Sequence, residues 1–361
     1  MSTRKIIEGE VGWLVSSFLA ITFCLLPLTL PSAAQTTPEL LVSIPGNKLV
    51  AGPALAERKY SDWGSAVNLG CGTINSAAND FGPAISKDGL SLYLSSSRED
   101  PNADIYVAQR SSTSETWGTP QNLGSTVNSP AVENNPALSR DGHWLFFNST
   151  RPGGLGDVDL WASYREHVHD NFAWQPPFNL GPGVNTKGFE AGASFFENED
   201  GRAPLLFFGR GVSGATQGIT TDIWVSELLS DGTFGNARAV PELNSTTGDQ
   251  HPSIRFDGLE IFFFSNRPGS TLNAMGNPSI DIWVATRNSV DDPWDTPVPL
   301  GPAINSAFQD FQPYISGDGQ SLYFVSTRPA LDAEGKAIPG CGGFDLYMST
   351  RTKLKGKDRQ D

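Results

Sequence analysis

The sequence repeats one pattern of residues five times between about residue 63 and residue 351. In each copy Asn-Ser or Asn-Thr precedes an acid, an Asp-Gly pair, an apolar run ending at Arg, and an Asp that opens another apolar run. The period is roughly 50–60 residues, which is typical of proteins built from similar stacked units. The Asp-Gly pairs that mark the period are Asp88-Gly89, Asp141-Gly142, Asp200-Gly201, Asp257-Gly258 and Asp318-Gly319.

Each unit is predicted to fold as four antiparallel strands. Asp-Gly between two apolar runs is a strong β-hairpin signal because both residues tolerate positive φ. Runs such as Ile261-Phe262-Phe263-Phe264 are rich in strand formers and too short to indicate a helix. A third strand begins at the recurring Asp, and a fourth follows in segments such as residues 117–123. Four-stranded sheets repeated around an axis form a β-propeller.

The phase of the repeat predicts how the ring closes. A lone fourth strand at about residues 62–70 precedes the first unit. The last unit ends after its third strand, at residues 346–349, with no fourth strand behind it. The early strand therefore completes the last blade, which removes two exposed sheet edges. We predict an all-β, five-bladed β-propeller of four-stranded antiparallel blades over residues 61–351. A two-sheet sandwich is the alternative, although it would not need a fivefold pattern.

Ring closure also predicts a disulfide bond. Cys71 follows the closing strand, and Cys341 precedes the strand with which it should pair. Antiparallel pairing brings the two cysteines to one corner, within bridging range. Two unrelated buried thiols are the alternative.

The repeat resembles the PD40, or WD40-like, propeller repeat of the TolB type. The resemblance rests on residues 313–329, which read Pro-Tyr-Ile-Ser-Gly-Asp-Gly-Gln-Ser-Leu-Tyr-Phe-Val-Ser-Thr-Arg-Pro, and on the following Asp345-Leu346-Tyr347. It implies a propeller in the bacterial cell envelope. The chain departs from TolB in having five units rather than six and no room before Tyr60 for an amino-terminal α/β domain. The resemblance therefore implies fold and compartment but does not transfer the role of TolB.

The amino-terminal residues predict export to the periplasm or the outside of a bacterial cell. Arg4 and Lys5 precede an apolar segment at about residues 11–30, and Ser32-Ala33-Ala34 offers small residues to a signal peptidase. An uncleaved membrane anchor is the alternative. We assign residues 1–34 to a signal peptide, 35–60 to an extended leader and 352–361 to a charged, disordered tail.

Charge and hydropathy exclude two classes of partner. The net charge is -14, with 39 acidic and 25 basic residues, which argues against nucleic acids and anionic membrane surfaces. After signal cleavage, we expect no segment apolar enough to span a membrane.

The repeated acids are predicted to be structural. Counting from each Asp-Gly turn places the acid and the Arg at the same height on adjacent strands, so each carboxylate gains a cationic partner. The Asp that opens the third strand is expected to join them. A ring of oxygen ligands around a cation is the alternative, but we expect no metal and no cofactor. The predicted pairs are Asp80–Arg98, Glu133–Arg151, Glu190–Arg210, Asp249–Arg267 and Asp310–Arg328.

The blades differ most just before the recurring Pro, on the innermost strand. Alternate side chains there should face the central channel. Asn135, His251 and Gln312 are therefore candidate ligand-binding residues for a small polar ligand, and a hydrated channel without a ligand is the alternative.

The sequence favours a non-catalytic binding or scaffolding module with a protein or glycan partner in the cell envelope. No nucleophile elbow or phosphate loop is present. The variable loops at residues 268–280 and 329–343 are the expected partner surface. The alternative is a carbohydrate-active hydrolase, which needs two carboxylates on either side of a sugar. The recurring tryptophans are expected to pack between blades rather than to bind sugar, and they are Trp63, Trp117, Trp174 and Trp294.

Overall fold

The computed structural model describes residues 59–198, 200–212, 221–332, 335–336, 338 and 341–355. The predicted signal peptide, nearly all of the predicted leader and the last six residues of the predicted tail lie outside these residues. Within the described part of the chain there is no helix, and so none that could cross a membrane.

The chain forms five four-stranded antiparallel sheets, which confirms the predicted five-bladed propeller. The first blade contains β2 Asp80–Ile85, β3 Ser91–Ser96, β4 Asp104–Gln109 and β5 Gln121–Asn122. The second contains β6 Glu133–Leu138, β7 Trp144–Ser149, β8 Asp159–Tyr164 and β9 Phe178–Asn179. The third contains β10 Phe189–Phe196, β11 Leu205–Gly211, β12 Thr221–Glu227 and β13 Arg238–Ala239. The fourth contains β14 Asp249–Ile254, β15 Glu260–Ser265, β16 Asp281–Thr286 and β17 Val298–Pro299. The fifth contains β18 Asp310–Ile315, β19 Ser321–Ser326, β20 Asp345–Thr350 and β1 Val67–Asn68.

The closing strand pairs as predicted from the phase of the repeat. Val67 lies opposite Met348 and Asn68 opposite Tyr347 in an antiparallel ladder. Like the other outermost strands, β1 is only two residues long, shorter than the predicted span of about 62–70. Such short strands leave little free edge for another chain to pair with.

The predicted disulfide is confirmed. Cys71 and Cys341 are bonded, with their Cα atoms 4.8 Å apart and 270 residues between them in sequence. The bond lies at one end of β1 and ties the start of the ring to its last blade.

Every innermost strand contains a β-bulge, which lies at or beside the recurring Pro in four blades and beside Ala193 in the third. In the first blade Phe81 lies opposite Ser95, and the ladder resumes with Ala84 opposite Tyr93. Pro has no N–H to give to a ladder, so a bulge is where an inner strand accepts it. The residue at the start of each bulge has positive φ, namely Gly82 (56°), Asn135 (53°), Gly192 (65°), His251 (56°) and Gln312 (49°).

The hydrophobic core consists of five clusters, each spanning two neighbouring blades. Between the third and fourth blades, Phe207 and Ile223 share one cluster with Phe263 and Trp283. Phe263 is fully buried, and truncating such a ring to Ala costs about 3–5 kcal/mol. The apolar faces of the strands thus hold the blades to one another.

Candidate functional site

The five inner-strand acids are saturated by donors from the protein. Asp80 accepts hydrogen bonds from Ser76 N at 2.5 Å, Ser76 Oγ at 2.7 Å and Ser96 Oγ at 2.6 Å. Arg98 Nη2 lies 2.7 Å from Asp80 Oδ1. These contacts, the Arg98 guanidinium among them, satisfy the charge of the carboxylate without a metal ion. The equivalent ion pairs are Arg151–Glu133 at 3.0 Å, Arg210–Glu190 at 3.1 Å, Arg328–Asp310 at 2.5 Å and Arg267–Asp249.

All five of these acids are fully buried and therefore out of reach of a substrate. Burial raises the pKa of Glu190, and hydrogen bonds from Thr186 together with Arg210 oppose that rise. The arrangement repeats in every blade, as expected for a structural element rather than for a single reaction centre.

In the first, second and fifth blades, the Asp that opens the third strand bonds an Asn of the fourth strand rather than the expected Arg. Asn122 Nδ2 donates to Asp104 at 2.8 Å, and Asn179 Nδ2 donates to Asp159 at 2.7 Å. Among the described residues, no ion pair joins these acids to the Arg of their blade. The fourth-strand Asn lies on the neighbouring strand and reaches the carboxylate instead. Burial, with the nearby Asp80 carboxylate adding to it, raises the pKa of Asp345 to about 6.

The three channel candidates lie in the ring of bulges, but their side chains are almost fully buried. Asn135 is 1 % exposed, His251 is 3 % exposed and Gln312 is 4 % exposed. Gln312 Oε1 accepts a hydrogen bond from Gly82 N at 2.9 Å. The side-chain nitrogens and oxygen of Asn135 and His251 have no partner among the described protein groups. Burial lowers the pKa of His251 to about 3, so its imidazole is neutral.

A tyrosine lies next to the ring of bulges, two residues after Gln312. Tyr314 packs against three of the hydrophobic clusters, and burial raises the pKa of its hydroxyl to about 12. The void beside Tyr314 and Phe195 is only about 10 Å³. A ligand-binding role for Asn135, His251 and Gln312 stays a prediction.

A much larger cavity lies between the fourth blade and the closing blade. It is a groove of about 990 Å³ at the end of the blades where the Asp-Gly turns lie. Trp63, Val284 and Leu300 contribute an apolar floor, and Tyr60 and Glu260 stand in its wall. We call this cavity the blade 4–5 groove.

The tryptophan in the groove belongs to a motif that four blades share. In the first blade the guanidinium carbon of Arg110 lies 4.1 Å from the ring centre of Trp117, and Arg110 Nε donates to the Gly89 carbonyl at 2.8 Å. The third blade has Leu228 and Phe234 at these positions. Such cation–π contacts fix the ring within its own blade. The other pairs are Arg165–Trp174 at 4.3 Å, Arg287–Trp294 at 4.2 Å and Arg351–Trp63 at 4.5 Å.

Two charged residues of the fourth blade line the groove. Arg255 stands where Ser86, Ser139 and Ser316 bond the Asp of their turns at 2.6 Å. Glu260 opens the second strand at a position that varies between blades, with Ser in the first and fifth. The fourth blade therefore carries charges here that the other turns do not need.

These charged residues form a cluster. Arg255 Nη2 lies 2.7 Å from Asp257 Oδ2, and Arg255 Nη1 pairs with Glu260. Arg351 reaches the same Glu260 carboxylate at 2.9 Å through Nη1. The Glu260 side chain is 13 % exposed, so part of it still faces the groove.

Tyr60 covers this cluster with its ring. Its centre lies 3.9 Å from the guanidinium carbon of Arg351 and 5.1 Å from that of Arg255. Burial raises the pKa of Tyr60, and its hydroxyl donates to the Asp318 carbonyl at 3.1 Å. An aromatic floor and wall beside charged side chains can hold a ligand with apolar faces and a polar rim.

Sequence reasoning missed the groove residues because they are far apart in the chain. Tyr60 precedes the first repeat, Arg255 and Glu260 flank the fourth turn, and Arg351 ends the last repeat. A position-by-position comparison of the five copies would have shown Arg255 in place of the Ser that three blades share.

No family model and no curated protein matches this chain. Solved structures do match it over most of its length. An α-L-arabinofuranosidase, PaAbf62A from Podospora anserina, has a TM-score of 0.52 at 10% identity, over 81% of this chain and 98% of that one. A thermostable family-43 glycoside hydrolase has a TM-score of 0.51 at 14% identity, over 80% and 93%. An α-L-arabinofuranosidase from Lactobacillus brevis has a TM-score of 0.50 at 12% identity, over 80% and 94%. At these identities the likeness establishes the fold.

These matches overturn two expectations from the sequence. The assignment to the PD40, TolB-type repeat family is wrong, because the structures named above that match about four-fifths of the chain are glycoside hydrolases. The prediction of a non-catalytic scaffold is also contradicted by these same matches. The repeated residues serve the packing within and between blades, so resemblance at those positions carries little information about a site.

Proposed function

We propose that this protein is a carbohydrate-active hydrolase that holds a saccharide in the blade 4–5 groove. The observation that carries the proposal is the match, over about four-fifths of the chain, to five-bladed propellers that are arabinofuranosidases and other glycoside hydrolases. Fold alone does not determine activity, so the site has to supply the chemistry.

The groove offers the contacts that a sugar needs. Sugar rings have apolar C–H faces that pack on aromatic rings, and hydroxyl groups that need hydrogen-bonding partners. Tyr60 and Trp63 supply the aromatic surfaces, and Thr286 and Asn288 are exposed polar residues of the lining.

Hydrolysis of a glycosidic bond generally uses two carboxyl groups on either side of the scissile bond. Among the residues that line the groove, Asp62 and Glu260 carry carboxylates. Asp62 is exposed, whereas Glu260 is held by two guanidinium groups in a fixed position. We assign these two residues as the candidate pair.

We also propose that the protein is exported from a bacterial cell into the periplasm or beyond it. In this proposal residues 1–34 are a cleaved signal peptide and residues 35–60 lead into the propeller. The Cys71–Cys341 bond supports the proposal, because such bonds persist in oxidising compartments. A glycan partner fits this location, and a protein partner at residues 268–280 and 329–343 stays untested.

Turnover and binding should be measured separately. The purified protein is incubated with arabinoxylan, arabinan and xylo-oligosaccharides, and released sugars are quantified by chromatography. Binding to the same glycans is followed by isothermal titration calorimetry. We expect turnover, and we expect it to be lost in Glu260→Gln and Asp62→Asn.

The repeat supplies matched controls. Trp117→Ala removes the equivalent ring from the first blade, whereas Trp63→Ala removes it from the groove. We expect only Trp63→Ala to weaken binding. Binding without any release of sugar would contradict the hydrolase proposal, and turnover that survives both carboxylate changes would exclude the groove as the reaction centre.

A further inference from the structure

The second blade carries three aromatic residues on one face of its sheet, at the end where the Asp-Gly turns lie. Trp144 opens β7, Tyr164 ends β8 directly opposite it, and Phe178 opens β9 beside them. We call these three residues the blade 2 aromatic cluster. The same three strand positions of the fourth blade line the blade 4–5 groove, where they are Glu260, Thr286 and Val298.

Blade architecture does not require aromatic rings at these positions. The other four blades fill them with polar, charged or aliphatic residues, and their sheets form in the same way. The cluster is therefore a property of the second blade and not of the repeat. Besides those of the fourth blade, the residues at these positions are Ser91, Gln109 and Gln121 in the first blade, Leu205, Glu227 and Arg238 in the third, and Ser321, Thr350 and Val67 in the fifth.

The three rings are tilted against one another, so they do not cover each other's faces. The ring centres of Trp144 and Tyr164 lie 4.9 Å apart with 59° between the ring planes. Those of Trp144 and Phe178 lie 6.0 Å apart at 84°. Phe178 is 47 % exposed, and Trp144 and Tyr164 are partly exposed. The cluster therefore presents aromatic surface to a ligand.

The cluster is held rigidly from behind. Trp144 packs against the buried cluster that joins the second and third blades, which contains Phe146 and Phe208. The His143 ring stacks on Tyr164 with 5.7 Å between ring centres and 14° between planes. Rigid aromatic side chains supply contact area at a low cost in conformational entropy.

Two polar atoms of the cluster are free to bind a ligand. Within the described part of the chain, Trp144 Nε1 and Tyr164 Oη have no hydrogen-bond partner, and neither atom is buried. An indole N–H donates, and a phenol both donates and accepts. Aromatic faces with polar edges match a sugar ring, which has apolar C–H faces and hydroxyl groups around its rim.

We propose that the blade 2 aromatic cluster is a second, non-catalytic binding surface for a saccharide chain. The inference rests on the proposed function only in naming a saccharide as the ligand. The carboxylates of the groove have no counterpart here, because Trp144 and Thr233 occupy the positions of Glu260 and Asp62. The surface anchors the protein on a polysaccharide, which raises the effective concentration of that polysaccharide at the groove.

The experiment places residues of the first blade in the second. Trp144→Ser, Tyr164→Gln and Phe178→Gln are made singly and together in the full chain, and binding to insoluble arabinoxylan is measured by depletion from solution. Each single variant should weaken binding at least about fivefold, as the loss of one aromatic contact predicts, and the triple variant should weaken it further. Turnover of a short soluble arabino-oligosaccharide should stay at the wild-type level, because the rings lie outside the groove.

The fifth blade supplies the matched control. Val67 is 61 % exposed at the position that Phe178 has in the second blade, so Val67→Gln removes an exposed apolar side chain from an equivalent site. It should leave binding to arabinoxylan unchanged. Phe178 is the most exposed ring of the cluster, so Phe178→Gln tests the inference even if Trp144→Ser does not fold.

Each outcome bears on one proposal or the other. Wild-type binding to arabinoxylan by the triple variant overturns the second surface and leaves the proposed function intact. An equal loss of turnover on the short oligosaccharide reveals a structural role and also overturns it. A proline-rich peptide that binds the wild type but not the triple variant, with no binding of arabinoxylan to either, assigns the cluster to a peptide partner instead. A wild type that binds arabinoxylan through the cluster without turnover counts against the proposed function and supports the second surface.

Discussion

Replacing Arg267 with Met should destabilise the propeller strongly. The Arg267 side chain is 10 % exposed and pairs with the fully buried carboxylate of Asp249. Arg267 also donates to the Leu243 carbonyl at 2.5 Å. Its guanidinium lies about 5 Å from the rings of Phe263 and Trp283, at 5.0 and 5.1 Å. Met preserves apolar contact with both rings, so the loss of stability should come mainly from the broken ion pair with Asp249.

The expected loss follows from the buried carboxylate that is left behind. Asp249 keeps hydrogen bonds from Ser245 N at 2.6 Å and Ser245 Oγ at 2.7 Å, but it has no remaining cation. Removing one partner of a buried ion pair costs about 3–5 kcal/mol. At about 2 °C per kcal/mol for a domain of this size, the thermal midpoint should fall by roughly 6–10 °C.

A double variant separates charge from packing. Asp249→Asn keeps an acceptor for Ser245 and removes the uncompensated charge, so Arg267→Met with Asp249→Asn should be more stable than Arg267→Met alone by at least about 1 kcal/mol. Thermal unfolding followed by circular dichroism gives both midpoints. Arg202→Met is the control, because Arg202 and Asp291 form a solvent-exposed ion pair. Its loss should leave the thermal midpoint unchanged. The reasoning is refuted if Arg267→Met melts like the wild type, or if adding Asp249→Asn gives no recovery.

Three further changes test other parts of the structure. Cys71→Ser with Cys341→Ser should cost about 5.6 kcal/mol in the chain-entropy model for a 270-residue loop, and a reducing agent should lower the wild-type midpoint but not that of the variant. The pKa of Asp345 is raised to about 6 in the folded state, so this group costs stability as pH rises from about 4 through 6. Asp345→Asn should therefore be more stable than the wild type at pH 7.5 and lose that advantage at pH 4, which melting curves at the two pH values would show. The pKa of His251 is lowered to about 3, so the wild type should lose stability as pH falls below about 6.5. His251→Asn introduces the residue that the second blade has at the equivalent positive-φ position. The stability of this variant should decline less steeply between pH 6.5 and 4 than that of the wild type, and an identical slope would contradict this.

The blade count, the closing strand and the disulfide could all be predicted from the sequence because the repeat encodes them directly. Each Asp-Gly turn fixes one hairpin, and the lone strand before the first unit has one partner available in a closed ring. Cys71 and Cys341 follow from that pairing. These features depend on the order of strands and cysteines along the chain, and that order can be read directly from the sequence.

Hydrogen-bond partners on neighbouring strands were predicted less well. The partner of Asp104 is Asn122 rather than Arg98, because strand register and not sequence spacing decides which side chain reaches the carboxylate. Similarly, Asn128 of the recurring Asn-Ser element bonds both the N–H and the carbonyl of Ile105, 23 residues away on the third strand, and spacing along the chain does not reveal this partner.

The channel residues show the same limit. Alternation along a strand predicts that Asn135, His251 and Gln312 face the axis. It does not predict that the five bulges approach so closely that a Cβ on Gly192 would lie 2.8 Å from the Cα of His251. That crowding buries side chains that the sequence placed in an open channel.

The closing strand connects the two features that distinguish this ring from a symmetric one. At one end of β1 the Cys71–Cys341 bond fixes the chain to the last blade. At the other end Ser61 N donates to the Thr352 carbonyl at 2.9 Å, and Tyr60 pairs with Lys353. Tyr60 and Trp63, which form the aromatic part of the blade 4–5 groove, lie on this second attachment.

The groove therefore exists only in the closed ring. Blades that merely stack on their neighbours would repeat the Arg–Trp pair without adding Tyr60 or the Glu260 cluster, as the first blade does with Arg110 and Trp117. The chain before the first repeat adds a wall that no repeat encodes, against a fourth blade that has exchanged Ser for Arg255. Ring closure thus stabilises the fold and, at the same position, supplies an asymmetric surface on which we place the saccharide.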